Sequence, residues 1–259
     1  MVSSPTIWAA GRYESVARRI APIAEEVVDA LERRRPLRDV TLVDLACGTG
    51  NAALAAVARG ARVTGVDITP ELMALGAQKD GGGSVTWVAA DASATGLPDA
   101  AFDAAVSNMG IVFVEPTAQV AEIARLLAPG GTLAFSTWVR TDDNPFFDPI
   151  VAVLGVPPGS GYRPDEWGDP DIAAARLAAD FEDVTIQSGT HTWEYASHAE
   201  AMRFVTDESP AHVDVLARVP DPQRDQLIAA FDEAMRRHVD DRGRVAFDTP
   251  YAVVTATRR

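Results

Sequence analysis

The chain predicts a doubly wound α/β fold, a parallel sheet with helices on both faces. Three observations carry this. Short apolar runs alternate with Ala- and Leu-rich helical stretches from residue 41 to residue 138. The first runs are continuously apolar rather than alternating, as in strands covered on both faces. The first of them stops at a glycine-rich turn, Cys47-Gly48-Thr49-Gly50, that opens directly into a helix.

Residues 14–34 place Val16, Ile20, Ile23, Val27, Val28 and Leu31 at helical spacing, which predicts an amphipathic helix with a break near Pro22. Pro36 marks a loop. Thr41–Cys47 is the first strand, and Asn51–Arg59 is an Ala-rich helix closed by Gly60. Ala61–Asp67 is the second strand. Pro70 suits a first helical turn and starts a helix that runs to Lys79. After a flexible turn at residues 80–83, Val85–Ala90 and Phe102–Asn108 read as strands three and four. Pro116–Leu127 is a helix stopped by Pro129-Gly130-Gly131, and Thr132–Trp138 is strand five. Such repeats imply right-handed crossovers, with ligands at the carboxyl ends of the strands.

The second half is less regular. Residues 140–168, with Asn144-Pro145, Pro157-Pro158 and Gly159-Ser160-Gly161, read as a long loop. Asp169-Pro170 caps and starts a helix to about Asp180. Val184–Trp193 reads as a strand, residues 198–242 are helical in parts with a clear start at Asp221-Pro222, and Tyr251–Ala256 is the last strand. Two late strands separated by a helical excursion predict an antiparallel edge carrying a small helical cap.

Bulk properties narrow the function. Of 259 residues, 47% are apolar and 23% charged, which fits a soluble globular protein. The formal net charge of −14 repels phosphate backbones, so nucleic acid is not expected as a partner. Arg33-Arg34-Arg35 reads as a solvated helix end. Cys47 is the single cysteine; it excludes an intrachain disulfide and reads as a small buried hydrophobe. No Cys/His group has zinc spacing and no metal is expected. No apolar run is long enough to span a bilayer. The charged residues Arg12, Glu14, Arg18 and Arg19 leave no secretory h-region, so a cytoplasmic, membrane-free protein is expected.

The residues that carry chemistry sit at strand ends. In Val43–Leu54, Gly48 and Gly50 lack the Cβ that blocks close approach of a nucleotide-like ligand. With Ala53 they also satisfy the G-x-G-x-x-A pattern of dinucleotide enzymes. Asp44, an acid inside the apolar first strand, needs a partner. It is unhelpful beside a pyrophosphate, suits a cationic amino acid moiety, and also fits plain capping of turn amides. Asp67 ends strand two, where an acid accepts from a ribose diol, and Ile68 follows it to pack on a base. Asp91 and Ala92 end strand three, placed to pair an adenine edge; Asp91-Ala92-Ser93 is equally a turn former. Ser107-Asn108-Met109 ends strand four and faces the remaining part of such a ligand.

Together these strings resemble the class I S-adenosylmethionine-dependent methyltransferases, closest to the small-molecule, ubiquinone/menaquinone-biosynthesis type. The matching features are D-x-A-C-G-T-G, the acids after strands two and three, Phe102-Asp103 near strand four, and L-A-P-G-G-T-L before strand five. The resemblance is strong over residues 41–138. It implies S-adenosylmethionine (SAM) as cofactor, bound by Asp44, Gly48, Gly50, Asp67, Asp91 and Asn108, with Ala46, Ile68, Ala92 and Met109 beside them. Trp8-Ala9-Ala10-Gly11-Arg12-Tyr13 resembles the W-x-x-G-x-Y segment of relatives, which implies that Trp8 and Tyr13 fold over the methionine end. A seven-stranded Rossmann-like sheet with a reversed last strand is implied too. Four segments follow: a cofactor-covering helical segment at 1–40, a SAM-binding core at 41–139, a variable substrate cap at 140–246, and a final edge strand at 247–259.

Transfer from a sulfonium needs alignment more than acid–base chemistry, since the cofactor carries the reactive group. A hydroxyl acceptor gains from a base. His191, His198, His212 and His238 are the candidates, His212 the strongest of a weak set. Trp138, Phe146, Phe147, Trp167 and Phe204 are placed either to line an apolar acceptor pocket or to pack a core, and Arg140 either to pair an acidic acceptor or to stand exposed. The reading is methyl transfer to a small, apolar or aromatic acceptor, oxygen favoured, with oligomeric state unassigned. An NAD(P)-dependent oxidoreductase is the alternative; Asp44 and the lack of a Tyr-x-x-x-Lys pair (Lys79 is the only lysine) stand against it. A non-catalytic SAM-fold protein is the other, since fold alone does not assign activity.

Overall fold

A computed structural model describes residues 6–155 and 161–259. The Pro157-Pro158 and Gly159-Ser160 steps of the expected loop lie outside the described residues.

Seven strands form one sheet: β1 Thr41–Leu45, β2 Arg62–Asp67, β3 Val85–Ala89, β4 Phe102–Asn108, β5 Leu127–Trp138, β6 Phe181–Tyr195 and β7 Val245–Arg258. Their order is β3-β2-β1-β4-β5-β7-β6. The first five strands pair in parallel, and β7 runs antiparallel to β5 from Thr132↔Thr257 to Trp138↔Tyr251. The seven strands and the reversed last one agree with the expectation. Strand order turns back between β1 and β4, and doubly wound sheets bind ligands at that switch point. The helices are α1 Tyr13–Glu32, α2 Asn51–Ala58, α3 Pro70–Gly76, α4 Pro116–Leu126, α5 Asp148–Leu154, α6 Pro170–Leu177, α7 His198–Arg203, α8 Pro210–Arg218 and α9 Asp221–Arg236.

The chain divides into two compact units. One joins Ile20–Arg140, Gly161–Gly189 and Pro250–Arg259; the other joins Met1–Arg19, Thr141–Ser160 and Thr190–Thr249. This cuts across the segments drawn from sequence, because α1 from Ile20 onward and residues 161–189 pack with the sheet. In the sheet unit, Val43, Leu45, Ala105, Leu133, Phe135 and Val254 form the centre of a continuous buried core. Phe135 meets the edge of buried Trp167 at a centroid distance of 5.3 Å. In the second unit Phe146 is the hub, with ring centroids of Trp193, Phe204, His212 and Phe247 at 5.0–5.6 Å.

Four local expectations are corrected. Helix α1 runs through Pro22 unbroken, because Ile20, Ile23, Ala24, Val27 and Val28 are buried and their packing outweighs the missing backbone bond. Pro129-Gly130-Gly131 does not separate a helix from a strand. It lies inside β5 as an irregularity, where the register passes from Phe102↔Leu127 to Ala104↔Thr132 and Gly130 turns at φ +75°. The stretch read as loop holds α5, begun by Asp148-Pro149, a first-turn proline signal that was available in the sequence. Arg33-Arg34-Arg35 is not merely solvated: Arg33 bonds Gln187, Arg34 bonds Asp183 O and Thr257, and Arg35 bonds Gly130 O, tying the end of α1 to β5, β6 and β7. Among the described residues no helix is long and apolar enough to cross a membrane.

Candidate cofactor site

The site is built at the carboxyl ends of β1 and β4. After Leu45 the chain turns through Ala46 at φ +52° and Gly48 at φ +55°, and Gly50 at φ +82° leads into α2. Ala46 is a non-glycine residue in the left-handed region, a local strain that surrounding structure must hold. Asp44 lies buried beneath this turn. Its Oδ2 accepts from the Ala53 amide at 2.8 Å, while Oδ1 is buried with no hydrogen-bond partner. Burial pushes the Asp44 carboxyl up to about 8, against the Ala53 bond, with nearby Asp67 adding to the rise. Asp44 therefore caps an amide, as the plain reading required, and keeps one oxygen unsatisfied.

Asp67 supports the same turn. Its Oδ2 accepts from the Gly48 amide at 2.7 Å and its Oδ1 from the Thr69 amide at 2.8 Å. Burial raises its pKa and the two amides oppose the rise. The Thr69 side chain and the Ile68 amide bond the same carboxylate, so a diol would share its lone pairs with four protein donors. Ile68 next to it is 51% exposed, an apolar side chain left open at the strand end. At the end of β3, Asp91 Oδ1 accepts from Ser93 N at 2.8 Å and Ser93 Oγ at 2.7 Å. The turn-forming reading of Asp91 is thus real, and it occupies one of the two oxygens. Ala92 is buried.

The end of β4 is locked to its neighbours. Ser107 Oγ donates to Leu45 O and accepts from Ile111 N, and Ser136 Oγ donates to Asn108 Oδ1 and accepts from Met109 N. Asn108 Nδ2 donates to Ile20 O at 3.3 Å, so both ends of this side chain are engaged by the protein. Met109 is the second left-handed non-glycine residue here, at φ +58°. A Cβ on Gly110 would lie 2.5 Å from Ala46 O, so only glycine lets the two strained strand ends meet.

Sequence reasoning missed several supports. Lys79, the only lysine, donates to Thr49 Oγ1 within the glycine turn at 2.9 Å. Trp87 on β3 fills the space left by glycines 50, 65 and 76, where an added Cβ would lie 2.5–3.1 Å from its ring. One face of α4 presents Gln119, Glu122 and Arg125, a spacing of three that was legible as a polar stripe on a mainly apolar helix. Glu122 accepts from Thr95 N and Oγ1, and Arg125 pairs with Glu122 through two nitrogens and reaches Leu97 O and Asp99.

His212, in the second unit, is buried with both nitrogens committed. Phe146 O only accepts, so Nε2 carries the proton toward it at 3.0 Å and Nδ1 accepts from Ser209 Oγ at 2.6 Å. Burial pushes its pKa down to about 4. The geometry makes His212 a structural histidine with no nitrogen free to receive a substrate proton. Phe146 and Phe204 are packed against other rings and form core; Phe147 is exposed. Trp8 and Tyr13 meet edge to face at 6.4 Å in the second unit. Arg140, after β5, pairs with Asp165 at 3.4 Å. Burial raises the Cys47 thiol well above its usual range, which suits an inert side chain. Among the described residues no group of three or more His, Cys, Asp or Glu side chains is arranged to hold a metal.

Residues 43–135 match the model of a methyltransferase domain. An uncharacterized protein of Mycobacterium tuberculosis (strain H37Rv) is 28% identical over 195 residues, 72% of this chain and 69% of that one. An uncharacterized methyltransferase of M. tuberculosis (strain CDC 1551) is 34% identical over 110 residues, 42% of this chain and 56% of that one. In structure, the YcgJ protein of Bacillus subtilis superposes with a TM-score of 0.57 over 90% of this chain and 97% of its own, at 17% identity, a likeness of fold. Over residues 43–135 the chain thus resembles a methyltransferase domain.

Proposed function

We propose that the protein transfers the methyl group of SAM to a small-molecule acceptor, apolar or aromatic in character, with oxygen the favoured atom. One observation carries the cofactor assignment: the buried Asp44 Oδ1 has no partner. A buried anionic oxygen needs a cation or a proton, and the ammonium of SAM is a cation of the right chemistry beside a glycine turn. A dinucleotide would bring two phosphate charges to a turn already underlain by Asp44 and Asp67, with the single charge of Lys79 on Thr49 set against them.

In this reading Asp44 and the Gly48–Gly50 backbone hold the amino acid end. Asp67 holds the ribose, Ile68 covers the base, and Asp91 with Ala92 reads its edge. When bound, SAM supplies a methyl on an already positive sulfur. The chain's share is then to hold and orient it, and such alignment removes roughly 7–11 kcal/mol of barrier in well-placed reactions. Ala46, Met109 and Gly110 supply a rigid rim of backbone, while the Asn108 side chain acts from behind that rim. Phe113, 43% exposed after the end of β4, favours an apolar or aromatic acceptor. His212, the strongest of the histidine candidates, is spent on Ser209 and Phe146. An acceptor that ionises without a strong base, a phenol or a carboxylic acid, is therefore the class we carry.

Calorimetric titration of the full chain with SAM, S-adenosylhomocysteine and NADH tests the cofactor. Micromolar binding of the first two and none of the third is expected. Binding of NADH alone overturns the reading.

A further inference from the structure

We propose that Gln119 is a positioning residue that sets recognition of the cofactor's base, acting through the Ala92–Ser93 peptide on Asp91. This rests on the SAM reading above and extends it to a residue on α4 that touches no ligand.

The geometry is a relay of three contacts. Gln119 is fully buried in α4, and its Nε2 donates to Ala92 O at 3.2 Å. The carbonyl can only accept, so the amide nitrogen must face it. The same peptide bond ends in Ser93 N–H, which donates to Asp91 Oδ1 at 2.8 Å. The Ala92–Ser93 peptide is thus gripped at both ends, its C=O by Gln119 and its N–H by Asp91. Ser93 Oγ adds a second bond to the same Asp91 oxygen, at 2.7 Å. With Oδ1 held twice and the peptide unable to rotate, the direction of the whole Asp91 carboxylate is set. That direction decides whether Oδ2 meets an exocyclic amine.

Gln119 is an expensive choice for this place. Its Oε1 is buried with no partner, and an unsatisfied buried amide oxygen costs free energy that Leu or Met would not. Packing alone does not call for it. One turn further along, Glu122 grips Thr95 N and Oγ1, so the rest of the loop is anchored independently of Gln119. Removing the Gln119 contact therefore frees one peptide and leaves the loop attached.

The test compares two ligands by calorimetry on the full chain: S-adenosylhomocysteine, and S-inosylhomocysteine, whose base carries a carbonyl in place of the amine. A lost bond from a charged acceptor corresponds to about a tenfold or larger change in affinity. The wild type is expected to prefer the adenine ligand by about that factor. Gln119→Met, close in volume, is expected to bind S-adenosylhomocysteine about tenfold more weakly and to prefer it by less than about threefold. Gln119→Leu, which likewise has no donor, should behave the same way and serves if the Met variant does not fold. A purely structural role would lower the melting temperature and leave the preference between bases intact. Retention of the wild-type preference in either folded variant, or no preference in the wild type, overturns the proposal. Failure of the wild type to bind S-adenosylhomocysteine at all is a different result: it removes the SAM reading and this inference with it.

Discussion

Asp44 shows at the scale of one residue how a binding site opposes stability. Its carboxyl is buried, half-satisfied by the Ala53 amide, and pushed up to about 8. Between pH 4 and pH 8 the folded protein keeps a proton on Asp44 that the unfolded chain has released, so this group's contribution to stability falls as pH rises through that window. Asp44→Asn removes the titration. The ligand-free variant is expected to be more stable than wild type at pH 8, by about 2–5 kcal/mol, with the gap closing toward pH 4. The same variant should lose most of its affinity for S-adenosylhomocysteine. Urea melts across pH, paired with calorimetry, check both halves. Equal stability at all pH values would mean that Asp44 is ionised and satisfied in the ligand-free protein. Asp67 behaves differently. The sequence suggests that Asp67→Ala weakens binding with the fold intact, yet its two oxygens hold the Gly48 and Thr69 amides. Loss of binding and loosening of the turn are coupled at that position.

At the scale of elements, α4 and the loop after β3 act together. Arg125 holds the Glu122 carboxyl down at about 2, with Thr95 assisting. A carboxylate whose folded pKa lies below its ordinary value stabilises the protein above that value, near 4.5, and the contribution disappears as pH falls toward 2. Glu122→Gln keeps the shape and removes the charge. Acid unfolding of the variant should start from a lower stability at pH 7, by about 1–3 kcal/mol, and should lack wild type's steep loss between pH 4.5 and 2. Identical acid profiles would show that the pair is screened and contributes little. The sequence shows α4 as a helix between strands four and five. Its residue types were visible, but their partners, Ala92, Thr95, Leu97 and Asp99, lie 20 to 30 residues earlier in the chain and meet α4 only through the β3-to-β4 crossover.

At the scale of the molecule the net charge of −14 matters for ligand capture. SAM carries one net positive charge and S-adenosylhomocysteine none. A negatively charged protein steers the cation, and salt screens that steering as the Debye length shrinks from about 30 Å to about 8 Å between 0.01 and 0.15 M. The association rate of SAM is expected to fall over this range, and that of S-adenosylhomocysteine to change much less. Stopped-flow measurements of both ligands decide it; parallel salt dependence would rule out steering.

What the sequence by itself determined is whatever depends on local order: the alternation of strands and helices, the glycine turn after β1, and the acids at the ends of β1, β2 and β3. These follow from period, turn chemistry and residue type, which are properties of neighbouring residues. Tertiary structure alone decided the uses of those residues. It carried α1 through Pro22, folded Pro129-Gly130-Gly131 into β5, spent His212 on Ser209 and Phe146, and left Asp44 Oδ1 without a partner. Each of these outcomes depends on burial and on partners far away in the chain, and burial is set by packing that no stretch of sequence contains.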